Sequence, residues 1–280
     1  MAAHEIVLRD GARIPVMRAI PFAAAHVACF AAFFVDFRWW YLLLTLVMYY
    51  SGMFFVTAGY HRYFSHKSFK TSRWFQFILA FMAMSSAQKG VLWWAAHHRH
   101  HHKYSDTPED IHSPLQGGFW WSHVGWIISD KFDETRSELI PDLYKYPELR
   151  WLNKYFLVPP VVMAVALFLI GGWGMMIWGF FIRTVLLWHG SFTVNSLAHV
   201  FGRRRYNTTD TSRNSFLLAL ITMGEGWHNN HHHFMAAARQ GFFWWEIDGT
   251  YYVLKELSWF RLVWDLRQVP PHMLQPSEAA

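Results

Sequence analysis

Residues 155–188 read YFLVPPVVMAVALFLIGGWGMMIWGFFIRTVLLW, two apolar segments separated only by Gly171 and Gly172. The segments, 155–170 and 173–188, are close to the roughly 17–25 residues that a helix needs to cross the hydrocarbon of a membrane. So short a connection brings the second helix back alongside the first. This stretch therefore predicts an antiparallel helical hairpin in a membrane.

A second hairpin is predicted nearer the N-terminus, from residues 21–35 and 39–59. Four spans place the N-terminus, residues 60–154 and residues 189–270 on one side of the membrane. We therefore expect an all-α integral-membrane protein, with a single domain over residues 1–280 and a helical cap formed by these two long segments. Residues 74–87 are apolar but short, which favours a helix lying at the membrane interface. Residues 270–280 are expected to form a loose tail.

The basic residues orient this topology. Of 25 Lys and Arg, 23 fall on the side of the cap, with only Arg38 in an opposite loop and Arg183 inside a span. The positive-inside rule makes that side cytoplasmic, together with both termini. A mean hydropathy of only +0.08 fits a membrane base with a large water-exposed part. The alternative is a soluble protein with apolar core helices. The single cysteine, Cys29, excludes a disulfide framework and a thiolate metal site.

Histidines form the second unusual feature, since the chain has 18 of them. Four motifs stand out: residues 61–66 (HRYFSH), 94–102 (WAAHHRHHH), 195–199 (NSLAH) and 224–233 (GEGWHNNHHH). Each follows, or lies near, the cytoplasmic end of an apolar segment. The motifs can therefore meet in one place.

Spacing indicates which histidines share a face, because positions i, i+3 and i+4 of a helix point the same way. The residues with this spacing are His98, His101 and His102, and again His228, His231 and His232. Asn195 and His199 are four apart. His61 and His66 are five apart, which is off one α-helical face, so one of them is expected where the helix ends.

Neutral imidazoles are typical ligands of Zn, Cu, Fe and Ni. Nine such ligands are too many for one ion and suit two. The run at 97–102 could instead be a low-complexity tract that binds metal adventitiously, but that does not explain the recurrence of its spacing. His26 and His189 are interpreted as packing residues, and four more histidines are left unassigned: His4, His112, His123 and His272.

The motifs resemble those of the membrane fatty-acid desaturases, most closely the acyl-CoA Δ9 desaturases of the stearoyl-CoA type. The resemblance covers nearly the whole chain after about residue 20. It implies that nine histidines hold two iron ions, namely His61, His66, His98, His101, His102, His199, His228, His231 and His232. It also implies that Asn195 reaches a metal through water. His97, His100 and His233 are extra to the pattern and are not expected to be ligands.

The resemblance further assigns Gln88, Trp94 and Ser191 to a bend in a substrate tunnel. Met53 lies roughly 12 Å before His61 along the second span, which suits the far end of that tunnel, with Tyr49 as its floor. Alternatively, Met53 is a core residue that packs against another helix. Lys89 stands where the animal enzymes have an asparagine near the CoA head group. Ala96 and His97 replace an Arg-Asp pair there, so the acyl carrier could be CoA, acyl carrier protein or a lipid.

The implied activity is O2-dependent insertion of a cis double bond at C9 of a saturated acyl chain, with two electrons supplied to the di-iron centre. No haem signature is visible, so the electrons are expected from a separate ferredoxin, rubredoxin or cytochrome b5 type of donor. This compactness predicts a bacterial inner-membrane enzyme. Zinc could replace iron in overproduced protein. Candidate carboxylates behind the ligands are Glu109, Asp110 and Glu225.

Two alternatives stay open on the sequence. The same metal centre could serve a fatty-acyl or lipid hydroxylase. A metal transporter or sensor would instead place its ligands near the middle of the bilayer, between spans. The position of the motifs at span ends counts against that second alternative.

Overall fold

The computed structural model describes residues 5–7 and 13–275, so His4 and the end of the predicted tail lie outside the described residues. Its helices are α1 (Val16–Cys29), α2 (Trp40–Phe54), α3 (Arg73–Met84), α4 (Val91–Tyr104), α5 (Pro114–Gly117), α6 (Trp126–Ile128), α7 (Pro141–Tyr144), α8 (Pro147–Lys154), α9 (Val158–Met176), α10 (Arg183–Asn195), α11 (Leu197–Val200), α12 (Phe216–Ile221), α13 (His228–His233) and α14 (Gly249–Trp259). The strands are β1 (Glu5–Val7), β2 (Arg13–Pro15), β3 (Lys70–Thr71) and β4 (Val263–Trp264). These form two antiparallel pairs, β1 with β2 and β3 with β4.

Segments of other helical types extend several of these elements. The π-helices are Phe55–Ser65, Trp121–Gly125 and Ile177–Ile182, and the 3₁₀-helices are Phe30–Phe34, Ser137–Leu139 and Pro271–Leu274. Phe55–Ser65 continues α2, and Ile177–Ile182 joins α9 to α10. Both π-helices therefore lie within long helical runs.

Three helical runs in the described part of the chain are long and apolar enough to cross a membrane: Val16–Phe34, Trp40–Ser65 and Val158–Val200. The sequence predicted four. The difference arises because the predicted third and fourth spans are joined in one run of 43 residues.

That run is broken in its middle, where the sequence placed the connection. Gly171 and Gly172 have non-helical dihedral angles, and Gly172 has a φ of 65°, which side chains other than glycine rarely adopt. Beyond the break, Nη2 of Arg183 lies 2.7 Å from Sδ of Met163. Residues twenty apart in a straight helix are about 30 Å apart. The two halves therefore fold back on each other as a hairpin.

Two helices continue beyond the predicted ends of their spans. The second span was expected to end at residue 59, but its helix continues to Ser65 and contains His61. The last span was expected to end at 188, but α10 continues to Asn195. Apolar character marks only the part of a helix suited to hydrocarbon, whereas its hydrogen bonding continues into the polar segment. The predicted bounds of the spans and of the cap remain predictions.

The apolar helices pack around α10. Both α1 and α2 contact the Ile177–Ile182 segment, and α2 also packs along α10. None of the residues of α1 is buried within the protein. Contiguous exposed apolar surface of this extent marks a surface that a membrane covers.

The main buried core lies beside these helices, where Phe55–Ser65 meets α3 and α4. Its fully buried residues include Leu79, Ala83 and Leu92. α3 has 12 residues, about 18 Å at the α-helical rise, which is too short to span a membrane. The interfacial position predicted for this segment remains a prediction.

Candidate metal centre

The first histidine motif lies in the π-helix that extends α2. In a π-helix the hydrogen bonds join residues i and i+5, and the backbone N–H of His66 donates to the carbonyl of His61 at 3.2 Å. The five-residue spacing therefore brings both side chains to the same region. His66 is the C-cap of the helix, as expected of one member of this pair.

The other motifs lie on four further helices. His98, His101 and His102 lie on α4, and the fourth motif forms α13. The spacing i, i+3, i+4 thus falls on helices in both places. The third motif differs from the expectation of one helical face, because α10 ends at Asn195 and His199 lies on α11.

The nine histidines assemble into two groups. The five-histidine group consists of His61, His66, His98, His102 and His231. The four-histidine group consists of His101, His199, His228 and His232. Within each group, the nitrogens that could bind metal lie within 4.8 Å of one another. The groups are adjacent, since the rings of His102 and His232 have centroids 4.5 Å apart.

The geometry inside the groups suits a metal ion. Nε2 of His231 lies 3.0 Å from Nε2 of His61 and 2.9 Å from Nε2 of His102. Two imidazole nitrogens bound to one metal ion at about 2.0–2.1 Å lie about 2.9 Å apart for a right angle between their bonds and about 3.3 Å apart for a tetrahedral angle. In the four-histidine group, Nε2 of His232 is buried without a hydrogen-bond partner among the described residues. A metal ion would satisfy that lone pair.

Carboxylates lie behind four of these rings, on the Nδ1 side. Asp110 is 2.9 Å from His101, Asp106 is 3.2 Å from His199, Asp210 is 2.7 Å from His232, and Glu225 is 2.5 Å from His61. A carboxylate on Nδ1 fixes the tautomer that leaves Nε2 free for a metal. The four carboxylates therefore orient these imidazoles towards the centre.

Two of these carboxylates were candidates from the sequence, namely Asp110 and Glu225. The third candidate, Glu109, offers only its backbone carbonyl, which lies 2.8 Å from Nε2 of His100. Asp106 and Asp210 were missed. Both lie in polar, turn-rich segments, where the sequence alone does not distinguish a buried carboxylate from a solvated one.

The electrostatics favour neutral imidazoles and ionised carboxylates. Burial, followed by the neighbouring histidines, lowers the pKa of His98 and His231 well below the ordinary histidine value. Burial raises the pKa of Asp210, but its hydrogen bonds with His232 and Ser212 outweigh this and hold the pKa below its usual range. The rings of His98 and His231 are therefore neutral at neutral pH, which is the form that binds metal. Burial also lowers the pKa of His101, but the neighbouring Asp110 outweighs this and raises it.

The three extra histidines lie outside both groups. Nδ1 of His97 lies 2.9 Å from the carbonyl of Trp93, and Nε2 of His233 lies 3.1 Å from that of Met273. His112, which was left unassigned, does adjoin the centre. Its ring lies 4.1 Å from that of His101, and together with Asp110 they form a third potential metal-binding group.

The predicted tunnel residues adjoin the five-histidine group. A small internal cavity of about 50 Å³ is lined by Gln88, Trp94, Ser191 and Asn195, together with His98. The amide of Gln88 donates to the hydroxyl of Ser191 at 3.0 Å. The residues assigned to a bend thus lie together beside the candidate metal ligands.

The remaining predicted residues are placed differently. Nζ of Lys89 donates to Asp133 at 2.8 Å, near the protein surface. Met53 is fully buried in the main core, and the hydroxyl of Tyr49 donates to the carbonyl of Ile221. Their assignments to the head group and to the tunnel end remain predictions.

Replacing Asp210 with asparagine is expected to weaken metal binding at the four-histidine group by about 10–100-fold. The amide keeps the size of the side chain but removes the charge that orients His232. Metal content measured against chelator concentration would show this. Asp265→Asn is the control, because Asp265 is exposed and pairs with Lys70 away from the centre. Equal chelator sensitivity in the two variants would contradict the role of Asp210.

Comparison with known proteins gives consistent matches. A family model described as fatty acid desaturase matches residues 37–258. An acyl-CoA 5-desaturase of Anemone leveillei is 38% identical over 246 residues, covering 86% of this chain and 76% of that protein. An sn-2 palmitoyl-lipid 9-desaturase of a Nostoc strain is 38% identical, covering 82% of each chain. An sn-1 stearoyl-lipid 9-desaturase of a Synechocystis strain is 36% identical, covering 92% of this chain and 81% of that protein.

Proposed function

The chain belongs to the fatty acid desaturase family, and we propose that it inserts a cis double bond between C9 and C10 of a saturated fatty-acyl chain. The observation that carries the proposal is the assembly of nine imidazoles into groups of five and four. The position at C9 is supported by two of the relatives, which are named 9-desaturases. The reaction consumes O2, two electrons and two protons, and releases two water molecules.

Two iron ions held by the nine histidines would supply the O2 chemistry that removes hydrogen from an unactivated methylene group. The protein holds the acyl chain. Trp94 stacks on His98 and on Tyr60, and these rings fix one wall of the small cavity. Gln88 and Ser191 form its polar edge. A chain held here has its bent carbons beside the five-histidine group.

The proposal includes the topology. The hairpin at Gly171 and Gly172 supports four membrane crossings, with the cap, the metal centre and the N-terminus on the cytoplasmic side of a bacterial inner membrane. With 23 of 25 basic residues on that side and a formal charge of +6, the cap would attract an acidic electron donor of the ferredoxin, rubredoxin or cytochrome b5 class.

The function is tested by fatty-acid analysis of cells that express the chain, with double-bond positions mapped by mass spectrometry. The expected result is a new 9-unsaturated acyl group. A double bond at C5 or C7 would contradict the proposed position at C9 but would still show that the chain is a desaturase. A hydroxylated acyl chain without a new double bond would contradict the proposed desaturase activity.

Protein overproduced in zinc-rich medium is expected to carry zinc and to be inactive. Imidazole sites bind Zn²⁺ more tightly than Fe²⁺, and zinc has no redox chemistry. Metal analysis and turnover of the same preparation check this, before and after exchange into iron. Activity that is full in an iron-free preparation would contradict a di-iron centre.

A further inference from the structure

A large apolar groove lies between α1 and the hairpin of α9 and α10. Its volume is about 1040 Å³, at the upper end of the roughly 300–1,000 Å³ typical of ligand pockets. The α1 wall includes three small residues, Ala24, Ala25 and Ala28, beyond Pro21 and Phe22. The opposite wall includes Val161 and Val165 of α9. The groove therefore has space for an apolar ligand between two membrane helices.

The groove is open along its side. Its rim residues Leu157 and Val161 are 59% and 56% exposed, and Trp173 at the far end is 61% exposed. These side chains lie on helices that are suited to the hydrocarbon of a membrane. The opening therefore faces the space that lipid chains would occupy.

The groove also reaches the candidate metal centre. Gln88, Ile127 and Phe192 line both the groove and the small cavity that contains His98 and Asn195. The groove and the small cavity therefore share a wall at these residues, beside the five-histidine group.

The α10 residues that line the groove are Thr184, Trp188 and Phe192, whereas Gly190 of α10 faces Tyr49 and Met53 of α2. The groove is therefore on a different face of α10 from α2.

Charged side chains lie at one end of the groove. The carboxylate of Asp133 forms ion pairs with both Arg18 and Lys89, and all three line the groove. Two cations and one anion leave a net positive charge. Each side chain is between 23% and 40% exposed, so this cluster can meet a head group from the membrane surface.

We propose that this groove admits a phosphoglycerolipid sideways from the bilayer, which makes a membrane lipid the acyl carrier. Its phosphate lies at Arg18 and Lys89, one acyl chain passes Gln88 to the small cavity, and the second chain stays in the groove. This rests on the proposed function and adds the substrate class that the sequence left open.

The volume supports two chains. A water molecule takes about 30 Å³ of liquid, and a methylene group is of similar size, so an 18-carbon chain needs roughly 540 Å³. The groove is about twice that volume. A single-chain thioester would leave much of it empty.

The test fills the deep part of the groove. Ala28 is ten residues beyond Arg18, about 15 Å along α1, so Ala28→Trp blocks the second chain far from the charged end. Ala23→Trp is the matched control, because Ala23 is exposed on α1 and does not line the groove. Each variant is assayed in nanodiscs of phosphatidylglycerol with a deuterated stearoyl chain, and separately with stearoyl-CoA.

The ratio of lipid to stearoyl-CoA turnover should fall about tenfold or more in Ala28→Trp, the scale set by a blocked apolar subsite. In Ala23→Trp it should stay within about twofold of the unchanged protein, as for a surface substitution. A phosphatidylglycerol with a photoreactive group on its second chain should label Thr184, which lines the groove but is buried from the surrounding bilayer. We expect this labelling in the unchanged protein and in Ala23→Trp, and much less of it in Ala28→Trp. This labelling does not depend on turnover.

The outcomes separate the two proposals. Turnover of stearoyl-CoA alone, with no labelling of Thr184, would overturn the lipid groove and leave the desaturase intact. An equal ratio of lipid to stearoyl-CoA turnover in the two variants would also overturn the groove. Labelling of Thr184 without a new double bond in either substrate would overturn the proposed function instead.

Discussion

Replacing His231 with alanine is expected to abolish turnover and to remove one of the two metal ions. Its Nε2 lies about equally close to the Nε2 atoms of His61 and His102, at 3.0 and 2.9 Å, so it belongs to the centre of the five-histidine group. The ring is buried, and alanine leaves a space without a replacement donor. The four-histidine group keeps all its members, so the second ion should remain.

Metal stoichiometry and desaturation are measured on the same preparation. The matched control is His233→Ala, two residues away on α13. His233 stacks on Tyr206 at 3.9 Å and belongs to neither group. The control should keep two ions per chain and most of its turnover. Normal metal content in His231→Ala, or equal losses in both variants, would contradict the assignment of His231.

Much of the centre could be predicted from the sequence because its histidines follow helical spacing. The spacing i, i+3, i+4 does fall on α4 and α13. The position of the motifs at the ends of apolar segments was the second basis for the prediction, because these ends limit where polar motifs can meet. Helical spacing indicated six of the nine histidines that the structure gathers into its two groups, and the resemblance to the membrane desaturases completed the set.

Other features had no clear sequence signal. The five-residue spacing of His61 and His66 does not fit one face of an α-helix, and no signal in the sequence indicates the π-helix that brings them together. Asp106 and Asp210 are carboxylates in loops, and only tertiary packing places them behind His199 and His232. Long-range pairing also produces the small sheet of β3 and β4, whose strands are too short to show alternation.

The position of the groove was also not predictable from the sequence. Small residues of α1 were visible in the sequence, but which side of α10 they would line depends on how the helices pack. The distance of Met53 from His61 along the second span directed attention to the α2 side. In the structure that side is tightly filled, since a Cβ placed on Gly190 would lie 3.2 Å from Cε of Met53. Helix packing, rather than any motif, decides where space remains.

Replacing Arg62 with methionine is expected to lower the free energy of unfolding by about 3–5 kcal/mol, the cost of removing one partner from a buried ion pair. The Arg62 side chain is 1% exposed. Its guanidinium donates to Glu225 and Asp248 at 3.1 Å, and to the carbonyl of Ala238 at 2.7 Å. Methionine has a similar length but leaves two buried carboxylates without their cation.

The loss should depend on pH. Burial raises the pKa of Glu225, but His61 and Arg62 outweigh this and lower it. A carboxyl group whose pKa is lowered in the folded protein stabilises that protein at pH values above the ordinary carboxyl pKa. This stabilisation disappears as the pH falls through the lowered pKa. Without Arg62 that contribution is reduced at neutral pH, whereas protonation at low pH relieves the buried charge. The difference between variant and unchanged protein should therefore shrink on acidification.

Thermal unfolding in one detergent, measured at neutral and at acidic pH, checks both statements. Arg73→Met is the matched control, because Arg73 also forms a two-point ion pair, with Glu148 at 2.7 and 2.8 Å, but on the surface. Exposed pairs of this kind contribute little, so its melting temperature should stay near that of the unchanged protein. Arg62→Met should melt far lower at neutral pH and lose metal from the five-histidine group, because Glu225 also contacts His61. Equal melting temperatures for the two variants would mean that the buried guanidinium is not what stabilises the carboxylates behind the centre.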